Sequence, residues 1–250
     1  MNEFILFFNY KYKGDWDNIY NAFRNKEIIP KEQMKEFLEK NDIINVKFFS
    51  ILDENYPKSL SVLKKPPFVF YYSGDLKILE NPNKICLTGN LENEHTLEFL
   101  NNIPEIKEDV VFISEYWSGY DKKLVNELIN KKGKVIIIVS CGLDYAKSKL
   151  LEPHLFNHPN VLIITEYPNF YHPTKKSIFT RQRVTSALSE KLVLVATKEN
   201  KNNPLVEQFL DLGKNIACFF ISKDEKNDNN IYLINSGAEL INNFQDALKL

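Results

Sequence analysis

The feature that most constrains the fold is an alternation of short apolar runs with helical segments along most of the chain. Two of these runs, residues 135–139 and 161–164, are apolar at every position and rich in β-branched residues. Strands of this kind are usually buried on both faces, because helices cover a parallel sheet on each side. Strands that alternate with helices indicate βαβ units. The sequence therefore predicts an α/β fold with a Rossmann-like, doubly wound and mostly parallel sheet.

The first 52 residues have a different pattern. Residues 15–23 and 30–40 carry apolar side chains at helical spacing, which predicts two short amphipathic helices. We therefore expect a small helical N-terminal appendage over residues 1–52 and a Rossmann-like domain over residues 53–250. At the other end of the chain, residues 237–248 are predicted to form a closing helix.

Charge and cysteine content limit the kinds of partner and compartment. The formal net charge is −1, so any anion-binding site must be a local patch. Each of the three cysteines ends or follows an apolar run without CxxC spacing, which indicates buried, inert thiols in a reducing compartment. No apolar run is as long as a membrane-spanning helix, and residues 4–8 lack a basic leader. We expect a cytoplasmic protein with no membrane partner.

The segment with the clearest chemical character is a run of cations and aromatic residues after a predicted strand. Two of the three arginines in the chain, Arg181 and Arg183, stand there, preceded by Lys175, Lys176 and Phe179. The arginine fork matches phosphate oxygens, and aromatic rings stack on unpaired bases. Ligands of doubly wound folds bind outside the carboxyl ends of the strands, where this segment is predicted to lie. The alternative is a solvated, charged loop.

Motifs for other chemistry are weak. The first strand of the domain is followed by neither GxGxxG nor a P-loop, so we expect no dinucleotide cofactor. His154 and His158 are four residues apart, but flanking prolines disfavour a shared helical face, and we expect no metal. Asp121 and Glu166 follow predicted strands; either is a candidate general base, and we favour a helix cap or a pairing with an arginine.

Several short segments stand in an order that resembles the DNA-processing protein A (DprA/Smf) family over residues 56–245. Each of them alone is a weak motif, but their order and spacing are specific. They are Tyr56-Pro-Lys-Ser-Leu60, Pro66 through Gly74, Leu87-Thr-Gly-Asn90, Ser114 through Asp121, Cys141-Gly-Leu-Asp-Tyr145, Thr165-Glu-Tyr-Pro168, Phe179-Thr-Arg-Gln-Arg183 and Ile231 through Ala238.

The resemblance implies a function. Members of this family bind single-stranded DNA without sequence preference and load the recombinase RecA during natural transformation. They have a Rossmann-like fold, commonly form homodimers and are not established enzymes. The implied site holds phosphates with Arg181 and Arg183 beside Gly89, and we add the two lysines from their charge alone. The full candidate nucleic-acid site is Arg181, Arg183, Lys175, Lys176, Gly89, Asn90, Ser114, Gly119 and Phe179, with no catalytic residue.

The chain also departs from the family pattern and is identified as a divergent member. Asn90 replaces an arginine after the first strand, and Glu115 replaces a glycine in the next loop. Loss of a cation and gain of an anion predict weaker DNA binding. Two other functions therefore stay open: a nucleotide-binding hydrolase on a similar fold, and a degenerate paralogue that serves as a protein-interaction scaffold.

Overall fold

A nine-stranded sheet organises the part of the chain that the structure describes. The computed structural model describes residues 2–40, 47–117, 119–198, 203–220 and 228–249. The strands are β1 (Phe48–Ser50), β2 (Val69–Gly74), β3 (Lys84–Thr88), β4 (Val111–Ser114), β5 (Lys134–Ile138), β6 (Val161–Thr165), β7 (Lys191–Leu194), β8 (Asn215–Phe219) and β9 (Glu239–Ile241). Their order across the sheet is β1-β2-β6-β5-β4-β3-β7-β8-β9.

Strand direction confirms the predicted fold class. Neighbouring strands from β6 across to β9 are parallel, whereas β2 pairs antiparallel with β6, and β1 pairs antiparallel with β2. From the central β3, the chain builds one half of the sheet through β4, β5 and β6 and the other through β7, β8 and β9. The order therefore reverses between β3 and β7, and doubly wound sheets bind ligands beside such a reversal.

Helices cover both faces of the sheet. They are α1 (Asn2–Lys11), α2 (Trp16–Arg24), α3 (Lys31–Lys40), α4 (Lys77–Glu80), α5 (Glu94–Asn101), α6 (Gly119–Asn130), α7 (Leu143–Tyr145), α8 (Lys175–Leu188), α9 (Asn203–Asp211), α10 (Asn230–Asn235) and α11 (Phe244–Leu248). Alternate residues of β5 enter two different hydrophobic clusters: Val135 and Ile137 pack with α6, and Ile136 and Ile138 pack with α8. This two-sided burial explains why the strand is apolar at every position.

The N-terminal helices pack on the edge of the sheet. Leu6, Phe8 and Ile19 share a hydrophobic cluster with Val69 and Tyr71 of β2. The cluster excludes water from the outer face of β2 and holds α1 and α2 against the domain. Residues 1–52 also supply β1 at the sheet edge, and the domain boundary at residue 52 stays a prediction. No helix in the described ranges is long and apolar enough to span a bilayer.

The prediction of one closing helix over residues 237–248 is wrong. Gly237 has a φ of +107° and ends α10, a conformation that glycine adopts without steric cost. The chain then pairs with β8 as β9 before a second helix begins at Phe244. Asn243 starts that helix, because its side chain accepts a hydrogen bond from the backbone N–H of Asp246.

Candidate functional site

The arginine segment is helical, as the pattern of residues 179–189 predicts, but the helix begins four residues earlier than that pattern indicates. Thr174 caps α8 in a capping box. Its side chain accepts a hydrogen bond from the backbone N–H of Ser177, and the Ser177 side chain accepts one from the backbone N–H of Thr174. The helix therefore begins at Lys175 and includes both arginines. Residues two apart on a helix point about 200° apart around the axis. Arg181 and Arg183 consequently point to different sides of α8 and do not form one cluster.

Arg181 lies beneath the carboxyl ends of the strands, and only 3% of it is exposed. Its Nε is 3.2 Å from Oε2 of Glu115, and its guanidinium carbon is 5.6 Å from the centre of the Trp117 ring. Thr185 donates a hydrogen bond to the other oxygen of Glu115. Among the described residues, Nη2 of Arg181 has no hydrogen-bond partner. The acidic residue that departs from the family pattern thus neutralises this arginine.

Arg183 forms a bidentate pair with Glu166 on the other side of the helix. The two nitrogen–oxygen distances are 2.7 and 2.6 Å, and Arg183 also donates to the carbonyl of Thr180. The expectation that Glu166 pairs with an arginine is confirmed. Burial lowers the pKa of the Arg183 guanidinium, but the charge of Glu166 and the hydrogen bonds to it outweigh burial, so the pKa is raised.

A small pocket lies at the reversal of strand order between β3 and β7. We name it the strand-end pocket; its volume is about 120 Å³. Gly89, Asn90 and Phe179, three residues of the predicted site, line it. The remaining lining residues are Cys86, Thr88, Glu115, Trp117, Asp121, Ile178, Gln182 and Leu205.

The turn at Gly89 requires glycine because other groups approach it closely. A Cβ atom there would lie 2.9 Å from Cε1 of Tyr120 and 3.1 Å from the carbonyl oxygen of Ala196. Asn90 continues the turn, and its side-chain oxygen accepts a hydrogen bond from the backbone N–H of Lys198. The residue that replaces the family arginine therefore joins the loop after β3 to the loop after β7.

Asp121 forms part of the wall of the strand-end pocket. Its carboxylate accepts hydrogen bonds from Thr88 Oγ1 and from the backbone N–H groups of Gly89 and Trp117. Burial raises the pKa of this carboxyl to about 6; these three donors lower the pKa, and nearby Glu115 raises it. The side chain fixes the turn that carries Gly89. This is a structural role, as expected for Asp121, although its partners are a hydroxyl and backbone N–H groups and not an arginine.

Sequence reasoning missed a buried polar network behind the pocket. Asn230 is fully buried, and its amide donates to the carbonyls of Leu194, Val195 and Phe219. Its side-chain oxygen accepts from Thr197. The network joins the ends of β7 and β8, and a signal for it was available: Asn230 directly precedes the family-like segment 231–238.

Two predicted site residues contribute differently. Ser114 is buried, and its hydroxyl accepts from the N–H of Tyr116. Gly119 begins α6, and a Cβ atom there would lie 3.8 Å from Oε2 of Glu92. Neither is part of the lining of the strand-end pocket.

A second cavity separates α8 from the N-terminal helices. We name it the appendage groove; its volume is about 570 Å³. Three residues of the predicted site, Lys176, Phe179 and Arg183, line it, and Phe179 therefore borders both cavities. The other lining residues are Tyr12, Lys13, Gly14, Asp15, Trp16, Asp17, Lys65, Tyr167, Tyr171, Thr180 and Gln208. Lys175 is exposed at the start of α8 outside this lining.

Close contacts fix the turn after α1, which carries the groove residue Gly14. Asn9 donates to the carbonyl of Glu166 and accepts from the hydroxyl of Tyr71. Gly14 has a φ of +73°, and a Cβ atom there would lie 2.9 Å from that same carbonyl oxygen. The turn after α1 therefore requires glycine, because a side chain at this position would collide with the backbone of Glu166 just after β6.

Two expectations concerned reactive groups. The predicted burial of Cys86, Cys141 and Cys218 is confirmed, and burial raises the pKa of each thiol. Across the described ranges, no group of three or more His, Cys, Asp or Glu side chains is placed to hold a metal ion. His154 instead lies exposed beside Asn126 and Glu152.

Comparison with known proteins identifies relatives. The family described as "DNA recombination-mediator protein A" matches residues 47–250. The DNA processing protein DprA of Streptococcus pneumoniae is 27% identical over 80% of this chain and 72% of that protein. The DprA protein of Bacillus subtilis is 26% identical over 80% and 69%, and the Smf protein of a Synechocystis strain is 26% identical over 82% and 54%.

Solved structures have the same fold. The X-ray structure of DprA from Streptococcus pneumoniae superimposes with a TM-score of 0.75 at 22% identity, over 93% of this chain and 81% of that one. A Helicobacter pylori DprA, whose structure describes a single-stranded DNA binding mode, gives a TM-score of 0.69 at 23% identity, over 82% and 95%. At these identities the structural likeness extends to the fold, including the N-terminal helices.

Proposed function

This chain belongs to the DNA recombination-mediator protein A family, and from that premise we propose that it binds single-stranded DNA at the strand-end pocket. The observation that carries the proposal is a pair of half-exposed aromatic rings at the pocket. Trp117 is 53% exposed and Phe179 is 56% exposed, although both border a buried crevice. Exposed rings beside a pocket offer stacking faces for unpaired bases, worth about 1–3 kcal/mol per base.

Stacking, rather than charge, supplies most of the affinity in this proposal. Arg181 is buried against Glu115 and Arg183 against Glu166, so neither presents a free positive charge to a phosphate. Asn90 adds no cation at the rim. Each phosphate that a protein neutralises contributes about 0.7 to the logarithmic salt slope of single-strand binding. We therefore expect binding at the strand-end pocket that is weak and depends little on salt.

The broader activity follows from the family. We propose that the protein assists DNA uptake and recombination in the cytoplasm, with RecA as its protein partner and a homodimer as its working form. We also propose that it is not an enzyme. Asp121 and Glu115 are the acidic groups of the pocket. Three donors engage the Asp121 carboxylate, and Arg181 and Thr185 engage that of Glu115, which fits structural roles better than that of a general base.

The pairing of both arginines also favours a second candidate function. A site whose cations are neutralised by Glu115 and Glu166 has lost the usual means of holding phosphates. The protein would then keep the fold as a scaffold for protein contacts. This candidate predicts no binding of oligonucleotides at any salt concentration.

A titration of labelled oligo-dT, followed by fluorescence anisotropy at two salt concentrations, tests the proposal. Unlabelled duplex of equal length should compete at least tenfold less well. A stacked base that contributes about 1.4 kcal/mol raises the affinity for single strands tenfold, and two such bases raise it about a hundredfold. Phe179→Ala should weaken binding by about tenfold. Tyr232→Ala, which removes a 66% exposed ring on α10, is the matched control and should leave affinity unchanged.

Three results would contradict the proposal. Equal competition by duplex would indicate a generic phosphate patch. Absence of any binding would favour the scaffold. Release of a free base from nucleoside monophosphates would instead identify a hydrolase.

A further inference from the structure

The appendage groove combines aromatic rings and cations from two distant parts of the sequence. Lys13 and Trp16 come from the N-terminal helices, whereas Tyr171 and Lys176 come from the segment that leads into α8. Tyr171 stacks on Tyr167 with ring centres 4.3 Å apart, and both rings line the groove. The groove is therefore lined by the residue types that hold nucleotides.

Apart from Arg183, whose pair with Glu166 is buried, the cations of the groove are two exposed, paired lysines and Lys13. Lys176 pairs with Asp15 at 2.8 Å, and Lys65 pairs with Asp17 at 2.6 Å; both lysines are well exposed. Lys13 is exposed and forms no ion pair within the described part of the chain. Exposed pairs of this kind contribute little energy, so an incoming phosphate can replace a carboxylate as the partner of either lysine.

Phe179 joins the groove to the strand-end pocket. Its ring is 56% exposed on the first turns of α8 and lines both cavities. Only the width of this one helix, about 10 Å, separates them. A flexible polymer of planar groups joined by anionic linkers, such as an unpaired nucleic-acid strand, could cross α8 at this ring and contact both cavities.

We propose that the appendage groove is a second binding site for single-stranded nucleic acid, occupied by the nucleotides that follow those in the strand-end pocket. The proposal rests on the proposed function and extends it to the N-terminal helices. Bases would stack on Phe179 and on Tyr171, and phosphates would lie near Lys13, Lys65 and Lys176. A duplex does not fit this role, because its bases are already stacked and paired.

The two tryptophans of the chain give each cavity its own reporter. Trp16 lines the groove, and Trp117 lines the strand-end pocket. In the full chain, Trp117→Phe leaves Trp16 as the single tryptophan, and Trp16→Phe leaves Trp117. Each variant is titrated with oligo-dT of about 4 and about 15 nucleotides, the range that single-strand sites cover. We expect the short oligonucleotide to quench Trp117 alone and the long one to quench both.

The outcomes separate the two sites. Quenching of Trp117 without a response of Trp16 to the long oligonucleotide would overturn the groove site and keep the proposed function. Quenching of Trp16 alone would keep the groove and overturn the strand-end pocket as the primary site. Silence of both reporters would overturn both.

Removal of the free cation provides a second test. Lys13→Gln should weaken binding of the long oligonucleotide several-fold, lower its salt slope by about 0.7 and leave the short one unaffected. Lys26→Gln is the matched control, because Lys26 is also exposed and has nearly the same positive φ, 52° against 53°, but lies outside the groove. An equal effect of the two substitutions, or of Lys13→Gln on both oligonucleotides, would overturn the site.

Discussion

The strand-end pocket and the appendage groove hold their charges in opposite ways. Beneath the pocket, Arg181, Glu115 and Asp121 are all more than nine-tenths buried. In the groove, the side chains of Lys176 and Lys65 are 75% and 48% exposed. A buried charge must be matched before the chain can fold, whereas an exposed one is solvated with or without its partner. Substitution of the buried charges at the pocket should therefore change stability and binding together, and substitution of the exposed lysines in the groove should change binding alone.

The difference limits what simple mutagenesis can show at the arginines. Alanine at Arg181 would leave Glu115 as an unmatched buried carboxylate and open a cavity under Trp117. Loss of DNA binding in such a variant would then report unfolding as readily as a lost phosphate contact. A direct test of the comparison must change charge with little change in volume.

The largest expected effect is that of Glu115→Gln. The substitution keeps the shape of the side chain but leaves the Arg181 guanidinium buried without a counter-charge, which typically costs about 3–5 kcal/mol. Urea unfolding followed by circular dichroism should show this loss in the free energy of unfolding.

Glu92→Gln is the matched control for that measurement. Glu92 pairs with Lys123 at 2.5 Å, but both side chains are more than two-fifths exposed, so the loss should be below about 1 kcal/mol. Similar losses for the two variants would show that the buried pair under the pocket is no more important to stability than a surface pair.

The second effect is a pH dependence from Asp121. Burial raises its pKa from the ordinary value of 3.8 to about 6, so the folded protein binds its proton more tightly than the unfolded chain does. The stabilisation is full below pH 4 and is lost as the pH rises through 6. Each unit of pKa difference corresponds to about 1.4 kcal/mol, which gives about 3 kcal/mol in all.

Comparison with Asp121→Asn isolates that contribution, since the other titrating groups are common to both proteins. The stability of the wild type relative to the variant should increase by about 2.4 kcal/mol from pH 7 to pH 4, since the unfolded chain is still partly ionised at pH 4. A difference that is constant across this range would mean that the carboxyl is as well solvated as the charges of the groove.

The sequence predicted the sheet better than the site, for a physical reason. A strand buried on both faces must be apolar throughout, so β5 and β6 were visible as uninterrupted β-branched runs. The extra strand β9 was missed because it lies at an edge, is three residues long and is mostly exposed. Local pattern carries little information about such a strand, whose pairing with β8 is its main constraint.

The site was harder to predict because it depends on the directions in which side chains point and not on which residues the segment contains. Arg181 and Arg183 are adjacent in the motif, yet helix geometry sends one to Glu115 and the other to Glu166. Both acids were identified in the sequence, but their distance from each arginine depends on how α8 packs against the strands. The groove was missed as well, since Lys13 and Lys176 meet only after the N-terminal helices dock on β2.

The third prediction tests whether charge can be added to the rim of the pocket. Asn90→Arg should strengthen binding of oligo-dT several-fold and steepen the salt slope by about 0.7, because the new guanidinium supplies the cation that the buried arginines do not. The cost is the hydrogen bond to the N–H of Lys198, so a small loss of stability, about 1 kcal/mol, should accompany the gain. An unchanged affinity with the same loss of stability would show that DNA does not approach this rim.

The smallest effect on stability should come from Lys176→Gln. Its ammonium group pairs with Asp15 at 2.8 Å, but three-quarters of the lysine side chain is in solvent, so its loss should change the free energy of unfolding by less than about 0.5 kcal/mol.

Asp15 has a second role, because it accepts a hydrogen bond from the N–H of Asn18 and caps α2. Asp15→Ala should therefore cost about 1 kcal/mol, as is typical of a lost cap, even though it breaks the same ion pair. Thermal unfolding of the two variants separates the pair from the cap. If Lys176→Gln destabilises as much as Glu115→Gln does, the exposed pairs hold the N-terminal helices on the domain, and the groove is no freer than the pocket to exchange a carboxylate for a phosphate.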